Sequence, residues 1–368
     1  MYLTFKKQIK FIVFIRQKKH NKYTEQNLNR LLIFIYKYLM KISVCIPTYN
    51  QSQYLAQAVR SAYNQSILPI EIIVSDDCST DNTSSILAML SKEIPILKVV
   101  LQPQNLGITR NTDSCLRLAS GDFIVRLDSD DYLSPLYMEK LSGLLSKHSD
   151  AGYAHAAVQE VDQYGNFLLK RQLARKSGYQ SGTKALESAT KGYRVAANII
   201  MFRREALVKV DFLTNRPSSA EDYHLSASLA AAGFGNIYLN EILSHYRVWV
   251  DAGKARLRRK LMEIVGIYKV YHEVLEPAYR ERGWNINGIR KNREAIACIQ
   301  ADCLGWKVYS DEEKLQLEDA LNKLSSSPKA KGIAWLYLNG YGKFLDIYSS
   351  LLSKAKFKLK QIFIQLRY

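Results

Sequence analysis

The chain has 368 residues, 47% of them hydrophobic, with 52 Lys and Arg against 34 Asp and Glu. That length and apolar content exclude a mini-protein and a disordered chain, and leave room for one large domain with an appendage or for two domains. The charge of +18 argues against a basic groove for nucleic acid, because residues 1–40 hold +8 of it and residues 329–368 hold +7.

Residues 1–39 carry two short apolar runs, Phe11 to Ile15 and Leu31 to Ile35, both far below the roughly 20 residues that span a bilayer. They also lack a cleavable signal pattern. A strand-like segment begins directly after Met40, so Met40 is the expected translation start and residues 1–39 a basic extension. Cys45, Cys78, Cys115, Cys298 and Cys303 show neither paired nor metal-binding spacing, which fits a reducing cytosol better than a disulfide framework or a zinc site.

Ile42 to Ile46 predicts a buried strand. Tyr54, Leu55, Ala58, Val59 and Ala62 then recur at helical spacing. Ile70 to Ser75 predicts a second strand ended by Asp76-Asp77, followed by a helix over 81–92 with Ser79-Thr80-Asp81 as candidate caps. Leu97 to Leu101 predicts a third strand, Asn105-Leu106-Gly107 a turn, 109–119 a helix, and Phe123 to Leu127 a fourth strand running into Asp128-Ser129-Asp130-Asp131. Such alternation predicts a mainly parallel sheet with helices on both faces and a ligand outside the carboxyl ends of the strands. Three strands end in polar residues, at Thr48-Tyr49-Asn50, Asp76-Asp77 and Asp128-Ser129-Asp130. The glycine patterns of a dinucleotide fold or a P-loop are absent.

Asp128 and Asp130 offer the oxygen ligands that Mg²⁺ or Mn²⁺ prefers, although an isolated Asp-x-Asp is far more often a solvated turn. Downstream, Ala151 to Val161 and Ile199 to Phe202 are strand-like, and Ala220-Glu221-Asp222 opens a helix over 223–232. From Lys254 the pattern is helical. The stretch from Leu345 to Leu366 is amphipathic and basic, suiting a membrane surface and a helix packed on the body about equally.

Ile46-Pro47-Thr48-Tyr49-Asn50, Ser75-Asp76-Asp77-Cys78-Ser79-Thr80-Asp81, Asn105-Leu106-Gly107, Ala119-Ser120-Gly121-Asp122, Leu127-Asp128-Ser129-Asp130-Asp131 and Glu221-Asp222-Tyr223 occur in that order. Together they resemble the inverting family 2 glycosyltransferases across roughly residues 41–250. The resemblance implies an α/β GT-A fold over 40–250, with a helical C-terminal region over 251–368. It places Pro47, Tyr49, Asp77, Arg110 and Asp128 at the nucleotide, Asp130 on Mn²⁺ or Mg²⁺, and Asp222 as general base. Asp131 is then a supporting residue behind the metal.

Taken alone, each residue has a plainer reading: Tyr49 as a core aromatic, Asp76-Asp77 and Glu221-Asp222 as helix-start acids, Arg110 as a solvated side chain. Two departures stand out. The family's Tyr-Arg-x-His appears as Tyr246-Arg247-Val248-Trp249, so a metal or diphosphate histidine is missing and Arg247 becomes the candidate diphosphate contact. The Arg that many relatives carry after the base is also absent from Tyr223-His224-Leu225-Ser226.

The resemblance therefore implies transfer of one sugar from a nucleotide-diphosphate donor, a UDP-sugar foremost, to a glycan or lipid-linked acceptor. The expected location is cytoplasmic, peripheral at the inner face of the plasma membrane, with no nucleic-acid partner. The Trp249 departure keeps open a catalytically impaired nucleotide-sugar-binding or scaffold protein.

Overall fold

The computed structural model describes residues 40–217, 219–249 and 257–345. The basic extension and the amphipathic tail therefore lie outside the described residues, apart from Leu345. In chain order the first half runs β1 (Ile42–Thr48), α1 (Ser52–Tyr63), β2 (Glu71–Asp76), α2 (Thr83–Glu93), β3 (Leu97–Leu101), α3 (Ile108–Arg117), β4 (Phe123–Arg126), β5 (Tyr132–Leu133) and α4 (Tyr137–Lys147). The second half runs β6 (Ala151–Val161), β7 (Phe167–Arg171), β8 (Gly178–Gln180), α5 (Gly182–Ala189), β9 (Ile200–Arg203), α6 (Arg204–Lys209), α7 (Glu221–Ala231) and β10 (Gly235–Arg247). The C-terminal helices are α8 (Lys260–Lys269), continued by a π-helical turn (Val270–Leu275), then α9 (Glu276–Glu281), α10 (Asn287–Gln300), a 3₁₀ turn (Ala301–Gly305), α11 (Asp311–Leu324) and α12 (Pro328–Leu338).

One sheet has the order β3-β2-β1-β4-β9-β6-β10-β5, with β7 on β6 and β8 on β10. Its first four strands are parallel, as the alternating pattern requires, and β9 is antiparallel to both neighbours. Both faces of β1 are covered, so all seven of its residues are buried. Ile42, Val44 and Ile46 meet Leu55, Leu90 and Leu141 on one face, while Cys45 joins Ile73, Leu116 and Ile124 on the other. Sequence periodicity gave no sign of β5, β7, β8 or α5. The three strands are short or solvent-facing, with too few buried residues to show a period, whereas α5 does bury Gly182, Ala185, Leu186 and Ala189 at helical spacing; α4, α6 and β10 are likewise not among the expected elements.

Polar side chains fix the sheet's lower edge. Glu71 is buried and accepts hydrogen bonds from Ser43 Oγ, Ser120 N, Ser120 Oγ and Lys98 Nζ at 2.6–2.7 Å. Burial pushes its carboxyl up, but Lys98, Ser43 and Ser120 outweigh that and bring it down to about 2. A depressed folded value means that the stabilisation is complete above the unfolded carboxyl range and is lost as pH falls toward 2. Glu71→Gln is expected to flatten the fall of the urea midpoint between about pH 4.5 and pH 2. An unchanged acid limb in the variant would reject this role for Glu71.

The C-terminal helices share a core with α5 and α7. Tyr223, Ala227 and Ala230 of α7 and Leu186 of α5 pack with Ile264, Tyr271, Leu275 and Leu317. Gly266 of α8 makes this approach feasible, since a Cβ there would lie 2.1 Å from the Ser219 carbonyl oxygen. The appended helices thus back the very helix that starts at Glu221.

Candidate active site

The polar strand ends meet along one edge. Pro47 is buried within β1 opposite Ser75, so it shapes the strand end rather than presenting a surface. Tyr49 is 46% exposed and is not a core aromatic. Asn50 follows it with a positive φ of 51°, and its Oδ1 accepts the Thr80 N–H at 2.8 Å. Asp81, one of the candidate caps, lies one residue before Asn82, which takes the cap position of α2. The Asp81 Oδ1 accepts the Thr83 N–H and its Oδ2 the Ser52 N–H, both at 3.0 Å, tying the starts of α1 and α2 together.

Asp77 is buried at 2% exposure, with Oδ1 accepting the Leu106 N–H at 2.7 Å and Oδ2 the Gly107 N–H at 2.9 Å. What it visibly does is hold the 105–107 turn, where Gly107 has a φ of 82°. Arg110 projects from the first turn of α3, exposed, onto the wall of a cleft of about 1990 Å³.

After β4 the chain turns through the acidic loop, with the Asp131 N–H donating to the Asp128 carbonyl at 3.0 Å. Trp249 Nε1 donates to Asp130 Oδ2 at 2.8 Å, and its ring meets Tyr54 edge-on at 5.3 Å. The residue that replaces the family's histidine therefore reaches the same carboxylate as a hydrogen-bond donor. Burial and the Asp128 charge push the Asp130 carboxyl up, and the indole N–H opposes them. Asp131 is pushed further up by burial and by both neighbouring aspartates; its Oδ1 accepts the Arg247 N–H at 2.8 Å, and its buried Oδ2 has no partner.

Arg247, the candidate diphosphate contact, has partners inside the protein. Its guanidinium is buried and donates to the Asp130 carbonyl (2.9 Å), the Asp162 carbonyl (2.9 Å), the Gln163 carbonyl (3.3 Å) and Gln57 Oε1 (3.0 Å). It also lies 4.2 Å over the Tyr54 ring. With four of its five N–H donors engaged inside the protein, Arg247 props the acidic loop. His245 does not replace the missing histidine either, since it stacks on Tyr132 at 4.2 Å.

A residue that the motif reading missed joins the two halves of the site. Arg126, 3% exposed at the end of β4, donates through Nη1 to Asp222 Oδ1 and through Nε to Asp128 Oδ1 at 3.3 Å. Burial alone would favour its neutral form, but Asp222, Asp128 and Glu221 hold it charged. A signal was present: an arginine inside Phe123-Ile124-Val125-Arg126-Leu127 is out of place in a buried strand unless it is paired.

Asp222 stands in the first turn of α7, after Ala220 with a φ of 64°. Burial raises its carboxyl, Arg126 opposes that, and Asp128 adds to it. Glu221 is pushed up to about 7 by burial and by Asp222. Arg126, Asp128, Glu221 and Asp222 line the same cleft as Arg110, and the cleft continues to Trp306 among the C-terminal helices.

Asp128 and Asp130 each keep one carboxylate oxygen free of the hydrogen bonds above, and Asp131 Oδ2 is an orphaned acceptor behind them. Among the described residues no three His, Cys, Asp or Glu side chains gather into a closed cage. This donor set fits a hard cation held by one or two carboxylates and completed by phosphate and water oxygens, the usual arrangement for Mg²⁺.

Residues 43–210 match the profile described as Glycosyl transferase family 2. A GalNAc(5)-diNAcBac-PP-undecaprenol beta-1,3-glucosyltransferase of Campylobacter jejuni is 31% identical over 219 residues, covering 57% of this chain and 65% of that protein. A chondroitin synthase of Escherichia coli is 29% identical over 192 residues, 52% of this chain and 27% of that one. The chain thus spans less than two thirds of the length of either relative.

Among solved structures, S. aureus TarS 1-349 in complex with UDP superposes with a TM-score of 0.51 at 17% identity, over 82% of this chain and 92% of that one. The mannosyltransferase PcManGT from Pyrobaculum calidifontis, in complex with GDP-Man and Mn²⁺, gives 0.50 at 18% identity, over 82% and 86%. These likenesses concern the fold. The family rests on the profile match: residues 43–210 form a glycosyltransferase domain of family 2, and the sheet order agrees with the GT-A fold of these neighbours.

Proposed function

We propose that the protein transfers a single sugar, with inversion, from a nucleotide-diphosphate sugar to a hydroxyl of a glycan or lipid-linked acceptor. The observation that carries this reading is the buried Asp128–Arg126–Asp222 chain, which brings the acidic loop and the N-terminus of α7 to one cleft. A UDP-sugar is the favoured donor, supported by the neighbour bound to UDP; Tyr49, Asp77, Arg110 and Asp128 are assigned to it. A lipid-linked acceptor is supported by the name of the Campylobacter jejuni relative. Among the described residues no helix is long and apolar enough to cross a membrane, so membrane-linked acceptors would be met from a peripheral position at the cytoplasmic face.

In this reading Asp222 uses the oxygen that Arg126 leaves free to take the acceptor's hydroxyl proton. The freed oxygen attacks the anomeric carbon opposite the leaving diphosphate, inverting its configuration. Asp130, supported by Asp128, would hold Mn²⁺ or Mg²⁺, whose charge stabilises the departing diphosphate. The Mn²⁺ in PcManGT supports that assignment.

Calorimetry of UDP with and without Mn²⁺ tests the donor half. The metal should tighten UDP at least about tenfold in the native protein, and Asp130→Ala should abolish that increment. Metal-independent UDP binding in the native protein would reject the assignment. The hydrogen bond from Trp249 to Asp130 favours the second reading, an impaired enzyme, which predicts no transfer across acceptors until Trp249→His restores it.

A further inference from the structure

We propose that the hairpin formed by β6 and β7 is a membrane-anchoring element that seats the site on an anionic bilayer. The turn between these strands is built to stand rigidly. Asp162 Oδ1 accepts the Tyr164 N–H at 2.8 Å and the Asn166 N–H at 2.9 Å, Oδ2 accepts Asn166 Nδ2 at 2.8 Å, and Gly165 takes a φ of 90°. On this frame Tyr164 is 81% exposed, Phe167 69%, Leu168 48% and Leu169 73%.

A half-buried strand alternates apolar and polar residues, yet here three consecutive apolar side chains of β7 face solvent on both sides of the strand. The strand pairs only with β6, so its outer edge is also uncovered among the described residues. Contiguous exposed apolar surface of this kind marks a contact with a partner or a membrane.

Charge selects the occupant. From Glu160 to Lys176 the chain holds four basic residues and two acids, Glu160, which pairs with Arg171, and Asp162, which accepts the turn's N–H groups. Arg171 and Arg175 are tied inward, to Glu160 and to Gln180 and Asn236. Lys170 and Lys176 are exposed. A second copy docking edge to edge would bring the same cations together, whereas an anionic lipid surface neutralises them while its interface takes up the tyrosine and the aliphatic side chains.

The hairpin is also mechanically part of the site. The Asp162 and Gln163 carbonyls, where the turn leaves β6, accept from Arg247, the Gln163 carbonyl accepts from Tyr54 Oη at 3.1 Å, and Arg247 in turn supports the Asp130 carbonyl. An anchored hairpin would hold the acidic loop at the lipid surface, which rests on the lipid-linked acceptor proposed above.

Co-sedimentation of the full chain with phosphatidylglycerol/phosphatidylcholine vesicles, against phosphatidylcholine alone, tests the anchor. Because both termini are basic, the readout is taken at high salt, where purely electrostatic adsorption is screened. The native chain is expected to bind the anionic vesicles, and Phe167→Ser/Leu169→Ser to bind at least about tenfold more weakly while keeping its affinity for UDP. Emission from Phe167→Trp should shift to the blue on adding vesicles. Equal vesicle binding by the double variant, or no shift from the reporter, would overturn the anchor, as would a native dimer that the double variant dissociates. UDP affinity reads the donor site separately, so loss of the anchor and loss of the transferase reading give different results.

Discussion

Replacing Asp222 by Asn is expected to lower the rate of sugar transfer by at least about a hundredfold while leaving donor affinity near its native value. The substitution keeps the side chain's shape and an acceptor oxygen toward Arg126, but removes the carboxylate's charge and with it the capacity to take the acceptor's proton. The loss should therefore fall on kcat, with donor KM changing little. Native activity should rise with pH through an apparent pKa above the usual carboxyl value of about 4, since burial raises Asp222 despite Arg126 and a base works only when ionised. A variant turning over a confirmed acceptor at the native rate would remove Asp222 from the chemistry.

Replacing Arg126 by Met should cost about 3–5 kcal/mol of stability, the scale for removing one member of a buried ion pair. Methionine fills much of the volume but leaves Asp222 and Asp128 without their shared countercharge. Asp222, already raised by burial with Arg126 opposing, then rises further, so this destabilisation grows as pH rises through its folded value and eases in acid. Urea midpoints of the variant should lie closer to native at pH 5 than at pH 8. A pH-independent difference would assign the loss to packing. Arg126→Lys retains a charge without the guanidinium fork that reaches both acids, and should recover part of the stability but less of the activity. A neutral outcome for Arg126→Met would mean that the chain of charges joining the acidic loop to α7 has no structural weight.

The two substitutions separate chemistry from support. Asp222→Asn leaves Arg126 its Asp128 partner and should lower the urea midpoint less than Arg126→Met, which should move both the midpoint and the pH dependence of transfer. Without Arg126 nothing offsets burial and Asp128 at Asp222, so the acid limb of the rate profile should shift to higher pH.

The residues themselves determined the parallel half of the sheet, because buried strands such as β1 and helix faces such as Leu55, Ala58 and Val59 announce themselves within a dozen residues. The acidic loop was equally legible, and so was the departure at Trp249. Only the tertiary structure decided what those residues do to one another. Arg126 meets Asp222 across 96 positions, Arg247 meets the Asp130 carbonyl across 117, and Trp249 meets Asp130 across 119. Periodicity reports how a segment divides itself between core and solvent. It carries no information about which distant partner completes a hydrogen bond, which is why the internal bonds of Arg247 were not foreseen, and why Arg126 escaped notice until its two acids were brought beside it.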